Sequence, residues 1–166
     1  MSIKQATSNL VAEHSAQHAT FTIEREFAAA PAAVFAAWAT VEAKSRWFGA
    51  PPGSWKPLER EFEFRVGGRE RLKGTWNNGT VSDFDARYQD IVPDQRIVYS
   101  YDMHLNDNRI SVSLSTVEFQ PFAKGTHVKY TEQAVYLDGY DDAGSRERGT
   151  RALLDNLAAS LEQGAH

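Results

Sequence analysis

The chain has 166 residues, 42% of them hydrophobic and 11% aromatic, a length that suits one domain burying roughly 70% of the surface its unfolded chain exposes. Its 22 acidic and 18 basic residues are interspersed, so the net charge of −4 contains no basic stripe and argues against nucleic acid as a partner. Cysteine is absent, which removes disulfides and thiolate metal sites and suits a reducing, cytoplasmic setting.

Residues 1–19 are small and polar, with Leu10 and Val11 as the main apolar members, and are expected to form a flexible N-terminal arm or short loose helix. No apolar stretch follows Lys4, so no secretory leader is expected, and no run reaches the ~20 apolar residues of a membrane span. Residues 20–163 read as a single domain. Phe21, Ile23 and Phe27 alternate with Thr22, Glu24 and Glu26, the period of a half-buried strand. Pro31 then suits a first helical position, where its missing N–H costs nothing. Val34, Phe35 and Trp38 fall on one stripe of that helix, and Thr40 is placed to cap a second short helix running to about Arg46. Gly49-Ala50-Pro51-Pro52-Gly53 ends helix and sheet alike.

Six strands are predicted next. Phe62, Phe64 and Val66 alternate with acidic and basic neighbours, Gly67-Gly68 is read as a tight turn that binds nothing, and Leu72, Gly74 and Trp76 share a face. Asn77-Asn78-Gly79 signals a hairpin because its residues tolerate positive φ. Strands follow over 81–92, 97–103, 110–119 and 126–137, separated by Pro93-Asp94-Gln95, Asn106-Asp107-Asn108 and Lys124-Gly125. Links this short exclude parallel crossovers, so the sheet is expected to be an antiparallel meander. From about Ser145, Thr150, Leu153, Leu154, Leu157, Ala158 and Leu161 recur at three- and four-residue spacing, giving a last helix with one wide apolar face.

That order of elements, with Ala30-Pro31, Val34-Phe35, Trp38, Trp47-Phe48-Gly49, Phe64, Gly67-Gly68, Gly125-Thr126, Val128 and Leu154-Asp155-Asn156-Leu157 at these positions, resembles the START-like (SRPBCC) helix-grip superfamily, in the branch of the activators of the heat-shock protein 90 ATPase. The resemblance runs from about Thr20 to Glu162. It implies an α+β fold: a curved antiparallel sheet of about seven strands, two short helices after the first strand, and a long C-terminal helix gripped by the sheet over a cavity. It implies function more loosely, because the superfamily includes lipid carriers, polyketide cyclases and hydrolases. Where many relatives carry an aromatic residue after Gly149, usually Trp, this chain has Thr150, a change expected to enlarge or moisten the cavity. The eukaryotic chaperone activators join such a domain to a separate N-terminal one, which this sequence does not show.

Aromatic residues outnumber the needs of a minimal core, and the expected ligand cavity is assigned Trp47, Phe48, Phe64, Trp76, Tyr88, Tyr99, Tyr101, Thr150 and Leu154. Tyrosines suit such a wall, since the ring is apolar and the hydroxyl fixes orientation. No Gly-x-Ser-x-Gly elbow and no phosphate-binding loop occurs, so no catalytic residue is assigned. His14 and His18 have helical i, i+4 spacing but lack a third ligand, while His104 and His127 are expected on the exterior; no metal or cofactor is assigned. Glu63, Asp83, Asp102, Glu118 and Glu132 lie within strands, and one turned inward beside Arg69, Arg87 or Arg109 would be an acid–base candidate. The expected partner is a small hydrophobic or aromatic molecule bound by a monomer or homodimer. The alternatives are an enzyme of cyclase, dehydratase or hydrolase type using the same cavity, and a chaperone-interacting protein. A buried, convergent Arg–carboxylate or Tyr–carboxylate pair would point towards the enzyme.

Overall fold

The computed structural model of the chain describes residues 13–164. Leu10, Val11 and His166 lie outside the described residues. Strand β1 (Ala16–Phe27) leads into helices α1 (Pro31–Ala39) and α2 (Val41–Lys44). Six strands follow: β2 (Trp55–Phe62), β3 (Arg69–Trp76), β4 (Val81–Val92), β5 (Arg96–Leu105), β6 (Asn108–Phe122) and β7 (Gly125–Leu137). Helix α3 (Ala143–Gly164) closes the order. The seven strands form one antiparallel sheet in the order β1-β7-β6-β5-β4-β3-β2. This is the helix-grip architecture: a meander whose first strand returns to pair with the last, with α3 lying against one face.

Alternation of burial shows which face is inside. On β4, Ser82, Phe84, Ala86 and Tyr88 are buried while their neighbours are not, and β3 does the same with Glu70, Leu72 and Gly74. From the helical side Val34, Phe35, Trp38, Leu154 and Leu157 complete the core. Pro31 starts α1 without a side-chain cap. At its far end the Trp47 indole donates to the Ala37 carbonyl at 2.9 Å, satisfying one of the oxygens that a helix C-terminus leaves open. Thr40 caps α2 as expected, accepting from the Ala43 amide at 3.1 Å.

Three expectations are corrected. The first strand reaches back to Ala16, so His18 is a strand residue and the helical His14–His18 pairing does not form; His14 instead meets Asp138 at 3.1 Å. Strand β2 spans Trp55–Phe62 rather than the segment around Phe64 and Val66. It is one of the two outer strands of the sheet and contains Pro57 with an irregular register beside it, a position where proline's missing donor is tolerated. Gly67-Gly68 is consequently not a two-residue turn. The Gly67 amide donates to Tyr88 and the Gly68 carbonyl accepts from it, so a longer loop over 63–68 is tied to β4. A Cβ at Gly68 would collide with the Glu63 carbonyl.

Candidate functional site

Between the sheet and α3 lies a cavity of about 340 Å³, within the range of small-molecule sites. Trp47 and Phe48, just past α2, form part of its wall, and Trp76, Tyr99 and Tyr101 face it from the sheet. Thr150 and Leu154 face it from α3. Phe64 and Tyr88, assigned to the wall from sequence, do not line it. Phe64 packs instead among Phe35, Phe62 and Tyr88. The Tyr88 hydroxyl is turned to Glu70 at 2.5 Å, because the inward face of β4 extends beyond the cavity.

Several cavity residues were not legible in advance. Trp55 lies against Gly74, where any Cβ would collide with its indole ring. The indoles of Trp55 and Trp76 both donate to the Ser82 hydroxyl, at 3.3 and 3.1 Å. Lys44 projects its ammonium into the cavity wall with only 3% of its surface exposed. It binds Glu70 at 2.5 Å and stands 4.5 Å from the centre of the Phe48 ring. Burial pulls its pKa below that of an ordinary lysine, with Glu70 opposing the fall. The sequence signal, visible only in retrospect, is that Lys44 falls three and four residues before Trp47 and Phe48, on their face of the segment.

The second polar group centres on Glu132, which is fully buried. It accepts from Tyr101 and Tyr130 at 2.8 Å each, from Ser113 at 3.1 Å and from Ser115 at 3.3 Å. Arg146 on α3 approaches the same carboxylate at 3.4 Å and also donates to Tyr101, Ser111 and Asp141 at 2.8–3.0 Å. Tyr99 joins through Tyr130 at 3.2 Å. Burial and the neighbouring anion raise the Tyr101 pKa well above its ordinary value, and burial does so for Tyr130 and Tyr99. Burial opposes the charge of Arg146, yet Tyr101, Glu132 and Asp141 hold its pKa above the usual guanidinium range. Tyr136 lies beneath that guanidinium, and burial pushes its pKa up to about 12. Of the strand acids singled out from sequence, Glu132 alone turns inward, and its arginine is Arg146 rather than Arg69, Arg87 or Arg109. Asp83 pairs with Arg71 and Asp102 with Arg109 on the outer face, whereas Glu63 lies not in a strand but in the 63–68 loop, paired with Arg65. His127 meets Glu24 at 3.2 Å. Among the described residues no cluster of His and acidic side chains could hold a metal, and no helix is long and apolar enough to cross a membrane.

The model of the activator of Hsp90 ATPase homolog 1-like protein family matches residues 28–162. The chain belongs to that family. An uncharacterised protein from Rhizobium leguminosarum, solved by structural genomics, is 47% identical with a TM-score of 0.86, covering 90% of this chain and 98% of its own. Mll3558 from Rhizobium loti is 46% identical with a TM-score of 0.82, covering 88% of this chain and 99% of its own. The AHSA1-like protein from Aeromonas hydrophila, at 21% identity, shares the fold with a TM-score of 0.67 over 89% of this chain and 94% of its own. No curated protein matches the chain. Membership of this family and its helix-grip fold makes a ligand-holding domain the expected type.

Proposed function

We propose that this AHSA1-like chain binds a small hydrophobic or aromatic molecule in the cavity between the sheet and α3, in the cytoplasm and without a cofactor. One observation carries the reading: an aromatic-walled space of about 340 Å³ remains open in an interior where side chains normally fill such volumes. Its wall combines the ring-rich faces of Trp47, Phe48, Phe84, Tyr99 and Tyr101 with few polar groups, the composition of sites that hold apolar ligands. Titration of tryptophan fluorescence with naphthalene-based hydrophobic probes tests it, and native mass spectrometry of protein from its own host would show a co-purifying ligand. Micromolar binding is expected. Failure of every probe below about millimolar, worth only ~4 kcal/mol, would remove the cavity as a ligand site.

The enzyme reading has a specific observation in its favour, since Arg146 and Tyr101 line the cavity and meet the Glu132 carboxylate behind them. A general acid or base must offer a lone pair or a proton to the substrate. Glu132 is wholly buried and already surrounded by donors from Tyr101, Tyr130, Ser113, Ser115 and Arg146. That arrangement favours a fixed anchor for α3 and the tyrosines over a proton-transfer group, so cyclase, dehydratase or hydrolase chemistry ranks second. Activation of a chaperone ATPase ranks third, resting on the family alone.

A further inference from the structure

We propose that the cavity selects neutral, carbonyl-bearing aromatic molecules, such as aryl ketones, lactones or quinones, whose carbonyl oxygen accepts a hydrogen bond from Lys44. This rests on the ligand-binding reading above. An ammonium has three N–H donors, and among the described residues Lys44 gives one, to Glu70. Even a neutral amine would keep one N–H to spare. The rest of its surroundings are ring faces: its nitrogen stands 4.5 Å from the Phe48 centroid and 5.7 Å from that of Tyr99, both in the cavity wall.

Most other side-chain donors around the cavity are engaged. Tyr101 and Tyr130 donate to Glu132, so in the Tyr99–Tyr130 contact the proton comes from Tyr99. The terminal nitrogens of Arg146 are occupied by Tyr101, Ser111, Glu132 and Asp141, which leaves it a single N–H, at Nε, against the two that a Lys44 ammonium keeps. Ser82 keeps its hydroxyl proton while accepting from two indoles, but a neutral hydroxyl makes a hydrogen bond about half as strong as a charged donor does. Lys44 is therefore the position where an apolar ligand would leave the largest unmet donor and an acceptor would gain most.

Charge balance decides what kind of acceptor. Lys44 is matched by Glu70, and Arg146 by Glu132 and Asp141. These two cations and three carboxylates leave the site no surplus positive charge for an anion. A fatty acid or other carboxylate would bring a further buried anion to a lysine already neutralised, and its desolvation would go uncompensated. A carbonyl oxygen meets the spare N–H and adds no charge.

Three naphthalenes of similar size separate the cases: acetylnaphthalene, ethylnaphthalene and naphthoate, titrated calorimetrically into the native protein at neutral pH. Acetylnaphthalene is expected to bind at least about tenfold more tightly than ethylnaphthalene, the gain of one charge-assisted hydrogen bond, and more tightly than naphthoate. Its carbonyl stretch should shift to lower frequency on binding. A double variant, Lys44→Met with Glu70→Gln, leaves neither charge buried alone and should erase the preference for ketone over hydrocarbon. Equal binding of ketone and hydrocarbon by the native protein, or an unshifted carbonyl band, would overturn the role of Lys44 while leaving the cavity reading intact. Naphthoate binding tightest would overturn the charge argument. If none of the three binds, the cavity reading falls and this proposal with it. The native series and the infrared band decide the matter even if the double variant does not fold.

Discussion

Burial, more than charge, ranks the individual residues of this protein. Arg69 and Asp85 form a two-bonded pair with both contacts at 2.8 Å, yet their side chains are 35% and 37% exposed. Water screens such a pair, so Asp85→Asn should change stability by less than about 1 kcal/mol. Glu132 is the opposite case, being fully buried with Arg146 beside it. Glu132→Gln would put an NH₂ donor where other donors converge and leave the guanidinium only Asp141. A loss of about 3–5 kcal/mol in urea denaturation is expected, the range for breaking a buried pair from one side. In a double-mutant cycle Arg146→Met should cost less in the Glu132→Gln background than alone; strictly additive losses would show that the two act independently. Gly74 gives a second residue-level test. Because the Trp55 ring occupies the place of a Cβ there, Gly74→Ala should displace the indole from Ser82, change the tryptophan emission and cost about 1–3 kcal/mol as an overpacked site. Unchanged emission would show that Trp55 is not held there.

At the scale of elements, α3 is both the lid of the core and a wall of the cavity, and substitutions separate the two roles. Leu154 and Leu157 are 2% and 0% exposed, so truncating either to alanine should cost about 2–5 kcal/mol. Losses below about half a kcal/mol, typical of surface positions, would place that stripe in solvent. Thr150 lines the cavity, but its hydroxyl donates to the Arg146 carbonyl one turn earlier at 3.0 Å. Its proton is therefore spent within the helix and is not offered to the cavity. Thr150→Trp should fill that space and weaken hydrophobic-probe binding by at least about tenfold, a loss of ~1.4 kcal/mol, with the fold kept; unaltered binding would put the ligand elsewhere. Helices α1 and α3 were legible because their apolar stripes extend over more than one turn, the four-residue α2 from its Thr40 cap, and β4 to β7 because each alternates between clear turn residues. Strand β2 was not. Its exposure pattern is nearly uniform along an outer strand, so alternation shifted the reading towards Phe62, Phe64 and Val66. The aromatic wall was legible from parity, since Tyr99 and Tyr101 are two apart on one strand. The polar half of the site was not, because Lys44, Glu70 and Arg146 come from α2, β3 and α3 and meet only through the folded register of the sheet.

Across the whole molecule, the sheet gathers tyrosines into one interior, and this gives the protein a distinctive alkaline limit. Tyr88, Tyr99, Tyr101 and Tyr130 come from β4, β5 and β7, and all have pKa values raised above the ordinary value of 10, chiefly because burial penalises the phenolate. A group whose folded pKa is raised stabilises the fold fully below its unfolded pKa, and that contribution is lost as pH rises towards the folded value. Above about pH 10 an unfolded chain would release these protons while the native chain still holds them, so each further unit of pH favours unfolding by up to ~1.4 kcal/mol per tyrosine. Base denaturation should consequently be steep and cooperative. The tyrosinate absorbance of these buried residues should rise together with the loss of far-ultraviolet circular dichroism, not ahead of it. Tyr101→Phe removes one such proton and one donor to Glu132, so it should lower stability at neutral pH and make the alkaline transition less steep. If the four tyrosines instead ionise smoothly near pH 10 with the circular dichroism unchanged, the hydroxyls reach solvent and the closed, hydrogen-bonded wall of the cavity is wrong.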